Sequence, residues 1–248
     1  MSLEMFSLVR NELLQMDLKL RSRSPIMRDL DPIGMLRLPP LELTIRPGAI
    51  LLGTRLFNFV RDRAVCLAGM VQLVHLATHV HGTVRNGGRG SEDDSFSMPI
   101  LLGDYFYSRF FALAADARLT RLLRPLSETV CLINESAIRE GRSNTTHDVV
   151  ELVHDQIAVL FAGGMAMGSE LGGANPVERE AARILGLKLG MGYGLMNRGM
   201  SNLAAGYCEE ALAELRKLPE GKARRALQEV VEYVFHRPNH RLAVTVER

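Results

Sequence analysis

The sequence predicts an all-α fold. Apolar residues recur at the three- and four-residue spacing of amphipathic helices through most of the 248 residues. The strand and helix alternation that a parallel α/β fold requires is found nowhere along the chain. The composition, 47% hydrophobic and 23% charged, is that of an ordinary globular protein.

The first half of the chain predicts one surface helix and two core helices. Residues 3–20 form the first amphipathic pattern, with an apolar face made of Leu3, Phe6, Leu13, Leu14 and Leu18. A connector that ends in Pro39 and Pro40 follows, since paired prolines disfavour helix. The run 46–81 then holds two helices' worth of apolar pattern with few charges, which predicts a central position.

The second half continues the helical pattern after a loop over residues 86–99. Helix resumes at Ile100 and continues to about Glu140, with a turn near residues 116–120. The segment 141–148 is a turn and capping cluster. Asn175, Pro176 and Glu178 predict a capped helix start with a capping box. The last helix carries one apolar stripe: Ala223, Leu227, Val230, Val231 and Val234.

Composition excludes several function classes. The net charge of +2 is too small to indicate a nucleic acid or an anionic membrane as partner. The three cysteines lack a CxxC spacing, which argues against a zinc knuckle or a disulfide framework. The uncharged stretch 156–169 is shorter than the ~20 residues of a spanning helix. We therefore expect a cytoplasmic protein with no transmembrane segment.

A cluster of small residues, AGGMAMGSELGG at 162–173, matches neither the P-loop nor the GxGxxG spacing. It follows no predicted strand, so a phosphate-binding loop is not indicated. We predict that these residues allow close helix packing.

Five stretches resemble the trans-type polyprenyl diphosphate synthases, the polyprenyl synthetase family. LGDYFYSRFF at 102–111 is similar to the family's LxGDYLxxRA, and the others match family motifs in the same order: 72–81, 158–174, 185–199 and 211–237. The resemblance implies an isoprenoid synthase-type bundle of antiparallel helices around a central cavity, shortened after the second aspartate motif. We expect one domain over residues 1–238 and a tail over 239–248 that lies beyond the match.

The resemblance implies condensation of an allylic diphosphate with isopentenyl diphosphate. In the family, Mg²⁺ ions held by two aspartate-rich motifs draw off the allylic diphosphate. A leaving group that carries several negative charges needs such cations to depart into an apolar cavity. Carboxylates one helical turn apart are the hard oxygen ligands that hold these ions.

The sequence departs from the family at those positions. In the first motif, HDDxxD, Gly82, Thr83 and Asn86 replace the aspartates. In the second, DDxxD, the replacements are Asn197, Arg198 and Ser201. We therefore predict no catalytic residue, no metal ligand and no cofactor for this chain, and expect Mg²⁺ on a catalytic partner.

Three residues match family positions that bind substrate. His75 aligns with a histidine that contacts isopentenyl diphosphate, Arg46 with the last arginine of GGKRxRP, and Arg89 with an arginine of RRG. Two interpretations stay open: a residual anion site, or ordinary structural residues. The family's lysine and threonine that precede its AxLF stretch, of which the lysine contacts the allylic diphosphate, become Gln156 and Ile157.

Other polar residues have plainer interpretations. His75, His79 and His81 have ligand-like spacing, but no glutamate accompanies them, so we predict no zinc site. We interpret the acidic loop 92–94 as solvated, and Asp104 as a helix cap or hydrogen-bond anchor.

The core pattern is retained, but both motifs have lost their aspartates. This combination predicts a non-catalytic subunit of a heteromeric polyprenyl diphosphate synthase, similar to the small component of heptaprenyl diphosphate synthase. It would stabilise a catalytic partner and help set prenyl chain length, or pair with itself. In the family, dimers pack through the helices next to the first motif and the GDY helix. Two alternatives stay open: a divergent prenyltransferase, and a homodimeric protein that binds a prenyl or other apolar ligand.

Overall fold

The computed structural model describes residues 4–22, 30–86, 97–142 and 148–236. These residues form ten α-helices: α1 (Arg10–Arg21), α2 (Pro40–Arg55), α3 (Arg61–Asn86), α4 (Ser97–Asp116), α5 (Leu123–Arg142), α6 (Val149–Val153), α7 (Val159–Leu171), α8 (Pro176–Asn197), α9 (Ser201–Leu215) and α10 (Lys222–His236). Three short 3₁₀ turns occur at Ser7–Val9, Gly34–Leu36 and Thr120–Leu122, and a π-helical turn, His154–Ala158, joins α6 to α7.

The predicted all-α class is confirmed, and no strand occurs among the residues described above. The turn expected near residues 116–120 separates α4 from α5. The capping box at the start of α8 is formed: the Asn175 side chain accepts from the amides of Val177 and Glu178, and Glu178 accepts from the Asn175 amide. Every residue of the predicted stripe on α10 is buried.

The predicted apolar face of the first helix is partly wrong. Phe6 and Leu13 are buried, but Leu14 and Leu18 are 58% and 69% exposed. A 3₁₀ turn over Ser7–Val9 precedes α1, and it has fewer residues per turn than an α-helix. The directions of the side chains therefore shift at this turn, and one helical wheel cannot describe both segments. The face that packs inward on α1 instead carries Leu13, Met16 and Leu20.

Helix α2 begins six residues earlier than the apolar run suggested. Pro40 is its first residue, where a proline ring is tolerated because the amide has no intrahelical partner there. Residues 41–45, which lie between the predicted connector and the apolar run, are therefore helical. This shift places Glu42 in the first turn of a core helix.

The core lies where α2, α3, α7 and α8 pack together. Helix α7 packs against α8 and α2, and α3 packs against α2 and α4. The small-residue cluster lies in α7, as predicted, and a Cβ on Gly164 or Gly168 would overlap Ile50 or Thr54 of α2. Helix α8 packs against the main chain itself: a Cβ on Gly190 would lie 2.7 Å from the Ala158 Cα.

Two helical segments are long and apolar enough to cross a membrane by length and composition alone, Arg61–Thr83 and Val149–Leu171. Both belong to the bundle, and 78% and 44% of their most apolar windows are buried inside it. Core helices of soluble proteins commonly have this composition, so the two segments are weak evidence for a membrane. All three cysteines are free, but only Cys66 is buried, whereas Cys131 is exposed and Cys208 is partly buried.

Gly190→Ala tests the close approach of α8 to the π-helical turn. The added Cβ meets main-chain atoms, which cannot rotate away, so we expect a loss of about 1–3 kcal/mol in unfolding free energy. Gly206→Ala is the matched control, because no atom lies within 4 Å of its Cβ position and it lies within α9. The control should gain about 0.5–1 kcal/mol. Equal effects in urea unfolding would contradict this account of the packing.

Candidate functional site

The first aspartate motif of the family falls on the last turns of α3. Gly82 offers no side chain, and the Thr83 hydroxyl donates to the Val80 carbonyl at 2.7 Å. The side chain of Asn86 lies outside the described part of the structure. Position 82 therefore offers no side-chain metal ligand, and the Thr83 hydroxyl already makes a hydrogen bond within its own helix.

The second motif is interrupted in its backbone as well as in its side chains. Helix α8 ends at Asn197, and Gly199 takes the left-handed conformation with φ of +76°. The amide of Met200 donates to the Leu195 carbonyl, and that of Gly199 to the Met196 carbonyl, which is the Schellman arrangement of a helix end. Ser201 is therefore the first residue of α9. Residues 197 and 201 do not share a helix face, as two metal ligands one turn apart must.

These positions do not fit a magnesium site. Asn197 places its amide near the Glu42 carboxylate, and Arg198 is an exposed cation. Among the residues that the structure describes, no three histidine, cysteine, aspartate or glutamate side chains form a potential metal site. We therefore derive no metal-dependent step for this chain.

Glu42 is the centre of the most deeply buried polar cluster in the candidate site. Its Oε2 accepts from Arg46 Nη1 at 2.9 Å, and His75 Nε2 lies 3.3 Å from the same oxygen. Its Oε1 accepts from the Tyr193 hydroxyl and, at 3.4 Å, from Asn197 Nδ2. Gln72 Nε2 donates to the Glu42 main-chain carbonyl at 3.2 Å. Residue 42 thus joins α2, α3 and α8.

Arg46 is held inside the protein and is only 2% exposed. Its guanidinium carbon lies 5.2 Å from the centre of the Phe161 ring and 5.7 Å from that of Tyr193. Both rings favour a cation at this distance, but a buried charge still requires a counter-ion. The Glu42 carboxylate supplies it.

The cluster fixes the protonation state of its members. Burial raises the pKa of Glu42, but Arg46, His75 and Tyr193 outweigh it and hold that pKa well below its usual range. Burial and the Arg46 charge lower the pKa of His75 to about 4. Burial and the neighbouring carboxylate raise the pKa of Tyr193. At neutral pH the cluster therefore contains one carboxylate, one guanidinium, a neutral imidazole and a phenol that donates.

The structure brings together two of the three predicted substrate-binding residues. Arg46 and His75 both face Glu42, whereas Arg89 lies outside the described residues, as does the acidic loop 92–94. As members of a residual anion site, Arg46 and His75 were expected to meet a ligand. Within the described residues they meet a carboxylate of the chain itself.

Of the other two histidines with this spacing, His79 lies beside His75 with a ring centroid distance of 5.9 Å, whereas His81 points away from the Glu42 cluster. The His81 ring stacks on Tyr107 with a centroid distance of 5.9 Å, and its Nε2 lies 3.5 Å from Asp104. Gly103 allows this contact, since a Cβ there would lie 2.4 Å from His81 Nε2. His81 therefore belongs to the α3–α4 contact. The interpretation of Asp104 as a helix cap is wrong, because it lies inside α4.

Gln156, which replaces a family lysine, lies in the π-helical turn between α6 and α7. Its Nε2 donates to Glu140 of α5 at 2.9 Å. Its neighbour Asp155 is buried and accepts from Arg139 at 2.8 Å. Turns of this type often occur at functional sites, but here the polar side chains of the turn pair with Arg139 and Glu140 of α5.

Two grooves on the described surface lie away from the Glu42 cluster. The larger, about 780 Å³, runs between α1, the start of α3 and the end of α4. The second, about 460 Å³, lies between α5, α7 and the start of α8. Neither is lined by Arg46, His75 or Asn197, so neither corresponds to the substrate site that the resemblance implies.

Sequence reasoning missed Glu42, Gln72 and Tyr193. One signal was present: a glutamate four residues before an arginine, inside an apolar segment, is typical of an ion pair on one helix face. It could be used only once α2 was known to begin at Pro40. Gln72 and Tyr193 carry no such local signal, because their partners are far away in the chain.

No family model matches the chain. It is similar in sequence to octaprenyl diphosphate synthase of Escherichia coli, 24% identical over 165 residues, which cover 62% of this chain and 51% of the relative. It is also similar to geranylgeranyl diphosphate synthase of Methanosarcina mazei, 25% identical over 201 residues, 72% of this chain and 60% of the relative. The chain thus spans about half of the length of the first of these relatives and three fifths of the second.

Solved structures share the fold. A decaprenyl diphosphate synthase from Rhodobacter capsulatus superposes with a TM-score of 0.79 at 20% identity, over 95% of this chain and 99% of that one. A deletion mutant of the heterotetrameric geranyl pyrophosphate synthase of mint gives a TM-score of 0.75 at 22% identity, over 91% and 98% of the two chains. The chain therefore has the isoprenyl diphosphate synthase fold, and its relatives and structural neighbours are polyprenyl diphosphate synthases.

Removing one partner of the buried pair should be costly. We expect Glu42→Leu to lower the unfolding free energy by about 3–5 kcal/mol, because Arg46 is left without a counter-ion. The double variant Glu42→Leu with Arg46→Met should recover most of that loss. Glu180→Leu, which breaks the exposed Glu180–Arg183 pair, should change little. Urea unfolding measures all three, and additive losses in the double variant would contradict the pairing.

His75 should make stability depend on pH in a defined window. The unfolded histidine binds a proton below pH 6.5, while the folded one stays neutral until about pH 4. The contribution of His75 is therefore fully present above pH 6.5 and is lost as the pH falls towards 4, by up to about 3 kcal/mol. His75→Gln should flatten the curve of unfolding free energy against pH in this window, and an unchanged slope would contradict burial of a neutral imidazole.

Proposed function

We propose that this chain is a non-catalytic subunit of a heteromeric polyprenyl diphosphate synthase. In this role it stabilises a catalytic homologue and helps to set the length of the prenyl product. The observation that carries the proposal is a retained fold whose metal positions hold no carboxylate, with α8 ended by Gly199 inside the second motif. Mg²⁺ and both diphosphates would bind to the partner.

The Glu42 cluster supports the same proposal. A catalytic site keeps its cations available for a substrate anion, and here Glu42 neutralises Arg46 from within the fold. Gln156 replaces a cation and pairs with Glu140. The two groups that the resemblance assigns to the two substrates are therefore engaged by the protein itself.

The outward face of α4, the helix with the GDY sequence, is suited to a protein partner. Its large exposed apolar side chains include Leu101 (63%) and Phe111 (53%). The nearby charged residue Arg109 turns away and donates to main-chain carbonyls of Lys19 and Ser22 at the end of α1. Asp104 remains as the exposed charge along the middle of this face. Apolar surface of this kind, on a helix of 20 residues, is typical of an interaction site.

The comparisons favour a heteromer over a lone chain in one respect. The geranyl pyrophosphate synthase of mint, which shares this fold, is heterotetrameric. We propose the corresponding kind of assembly here, with a homologue that carries both aspartate-rich motifs as the partner.

The decisive experiment compares activity alone and in a mixture. The purified chain, incubated with Mg²⁺, labelled isopentenyl diphosphate and an allylic diphosphate, should give no elongated product. Co-expression with a homologue that carries both motifs should give a complex whose activity exceeds that of the partner alone. Metal-dependent turnover by the purified chain would favour the divergent prenyltransferase. A self-dimer that forms no complex and retains a lipid in native mass spectrometry would favour the binding protein.

Variants of the α4 face sharpen the test. Leu101→Glu with Phe111→Glu places two charges on the proposed interface, so we expect loss of the complex while the isolated chain keeps its helix content. Val177→Glu is the control, because Val177 is 76% exposed at the start of α8, a helix that does not pack closely against α4. Sedimentation of each variant mixed with the partner measures how much complex forms. Equal loss of complex in the control would contradict an interface on α4.

A further inference from the structure

The Glu42 carboxylate occupies a pocket that is lined by hydrogen-bond donors from three helices. Arg46 reaches it along α2, His75 comes from α3, and Tyr193 and Asn197 come from α8. Arg46 and Tyr193 are each only 2% exposed. Buried donors that converge on one point form an anion site, whichever anion is present.

The pocket contains more buried polar atoms than the Glu42 carboxylate can hydrogen-bond. Arg46 Nε, Gln72 Oε1 and His75 Nε2 are buried and have no hydrogen-bond partner. His75 lies 3.3 Å from the carboxylate but outside hydrogen-bond geometry. Unpartnered buried groups cost free energy, so a site that retains three of them favours a further polar ligand or water.

Arg46 cannot leave this pocket when the carboxylate is removed. Its guanidinium lies against both the Phe161 and Tyr193 rings, and its helix is packed against α3 and α7. The charge therefore stays buried and requires an anion.

We propose that this cluster is a site for a small oxyanion, in which the chain's own Glu42 side chain is the resident anion and keeps external anions out. Shortening Glu42 opens the site to a carboxylate or phosphate from solution. This inference concerns the isolated chain and does not depend on the proposed subunit role, so either can fail without the other.

Glu42→Ala removes a carboxymethyl group, which acetate replaces in size and charge. We expect the variant to melt below wild type and its melting temperature to rise by at least about 3 °C with acetate, in a saturable manner, at constant ionic strength in chloride. Inorganic phosphate and pyrophosphate test how large an anion the opened pocket accepts. The wild-type chain should show no saturable rise with any of the three.

Three variants serve as controls. Glu42→Gln loses the charge but keeps the volume, so acetate should not restore its stability. Glu42→Ala with Arg46→Met lacks the cation and should not respond. Glu12→Ala removes another buried glutamate, whose partners Arg55 and Arg61 have side chains 29% and 52% exposed, so water can solvate them and no specific acetate effect is expected.

The outcomes decide the proposal. If Glu42→Ala is unfolded in chloride, recovery of the folded far-ultraviolet spectrum on refolding in acetate supports the site, and failure to recover overturns it. An acetate response that is equal in Glu42→Gln or in the double variant overturns it as well. So does an Arg46-dependent stabilisation of the wild-type chain by pyrophosphate, because Glu42 would then not exclude external anions.

Discussion

The arrangement of the central helices depends on one buried ion pair, between Glu42 and Arg46 of α2. A guanidinium that is almost fully buried needs a counter-ion within hydrogen-bond distance, because the low dielectric of the interior strongly penalises an isolated charge. The same carboxylate also accepts hydrogen bonds from Tyr193 and Asn197 of α8 and lies next to His75 of α3. One side chain thus fixes three helices relative to each other.

This constraint operates inside a bundle whose helices approach unusually closely. At several glycines of α7 and α8 an added Cβ would clash with a neighbouring atom, and at Gly186 and Gly190 the nearest atom belongs to the main chain. Close packing excludes water from the space around Arg46 and so strengthens its need for Glu42. The small-residue cluster in α7 and the ion pair therefore support one another.

The helical elements could be predicted because their signals are local. The capping box at Asn175 and Glu178, the stripe on α10 and the turn after Asp116 each depend on residues a few positions apart. Prediction failed before α1, where a 3₁₀ turn shifts the directions of the side chains. It also failed at Pro40, which was interpreted as the end of a connector although it begins a helix. In both places, packing of the apolar face onto the core decided the outcome.

The sequence by itself determined the helical class, the resemblance to polyprenyl synthases and the absence of carboxylates at positions 82, 83, 86, 197, 198 and 201, since these are properties of residue identity and spacing. Through that resemblance it also suggested Arg46, His75 and Arg89 for a residual anion site, with ordinary structural residues as the alternative. Only the tertiary structure decided that Glu42 lies between them and that Gly199 ends α8 before Ser201. The partners of Glu42 on α8 are about 150 residues away, at separations of 151 and 155, and no local pattern encodes such a contact. Whether a buried cation is available to a ligand depends on what the rest of the fold places beside it.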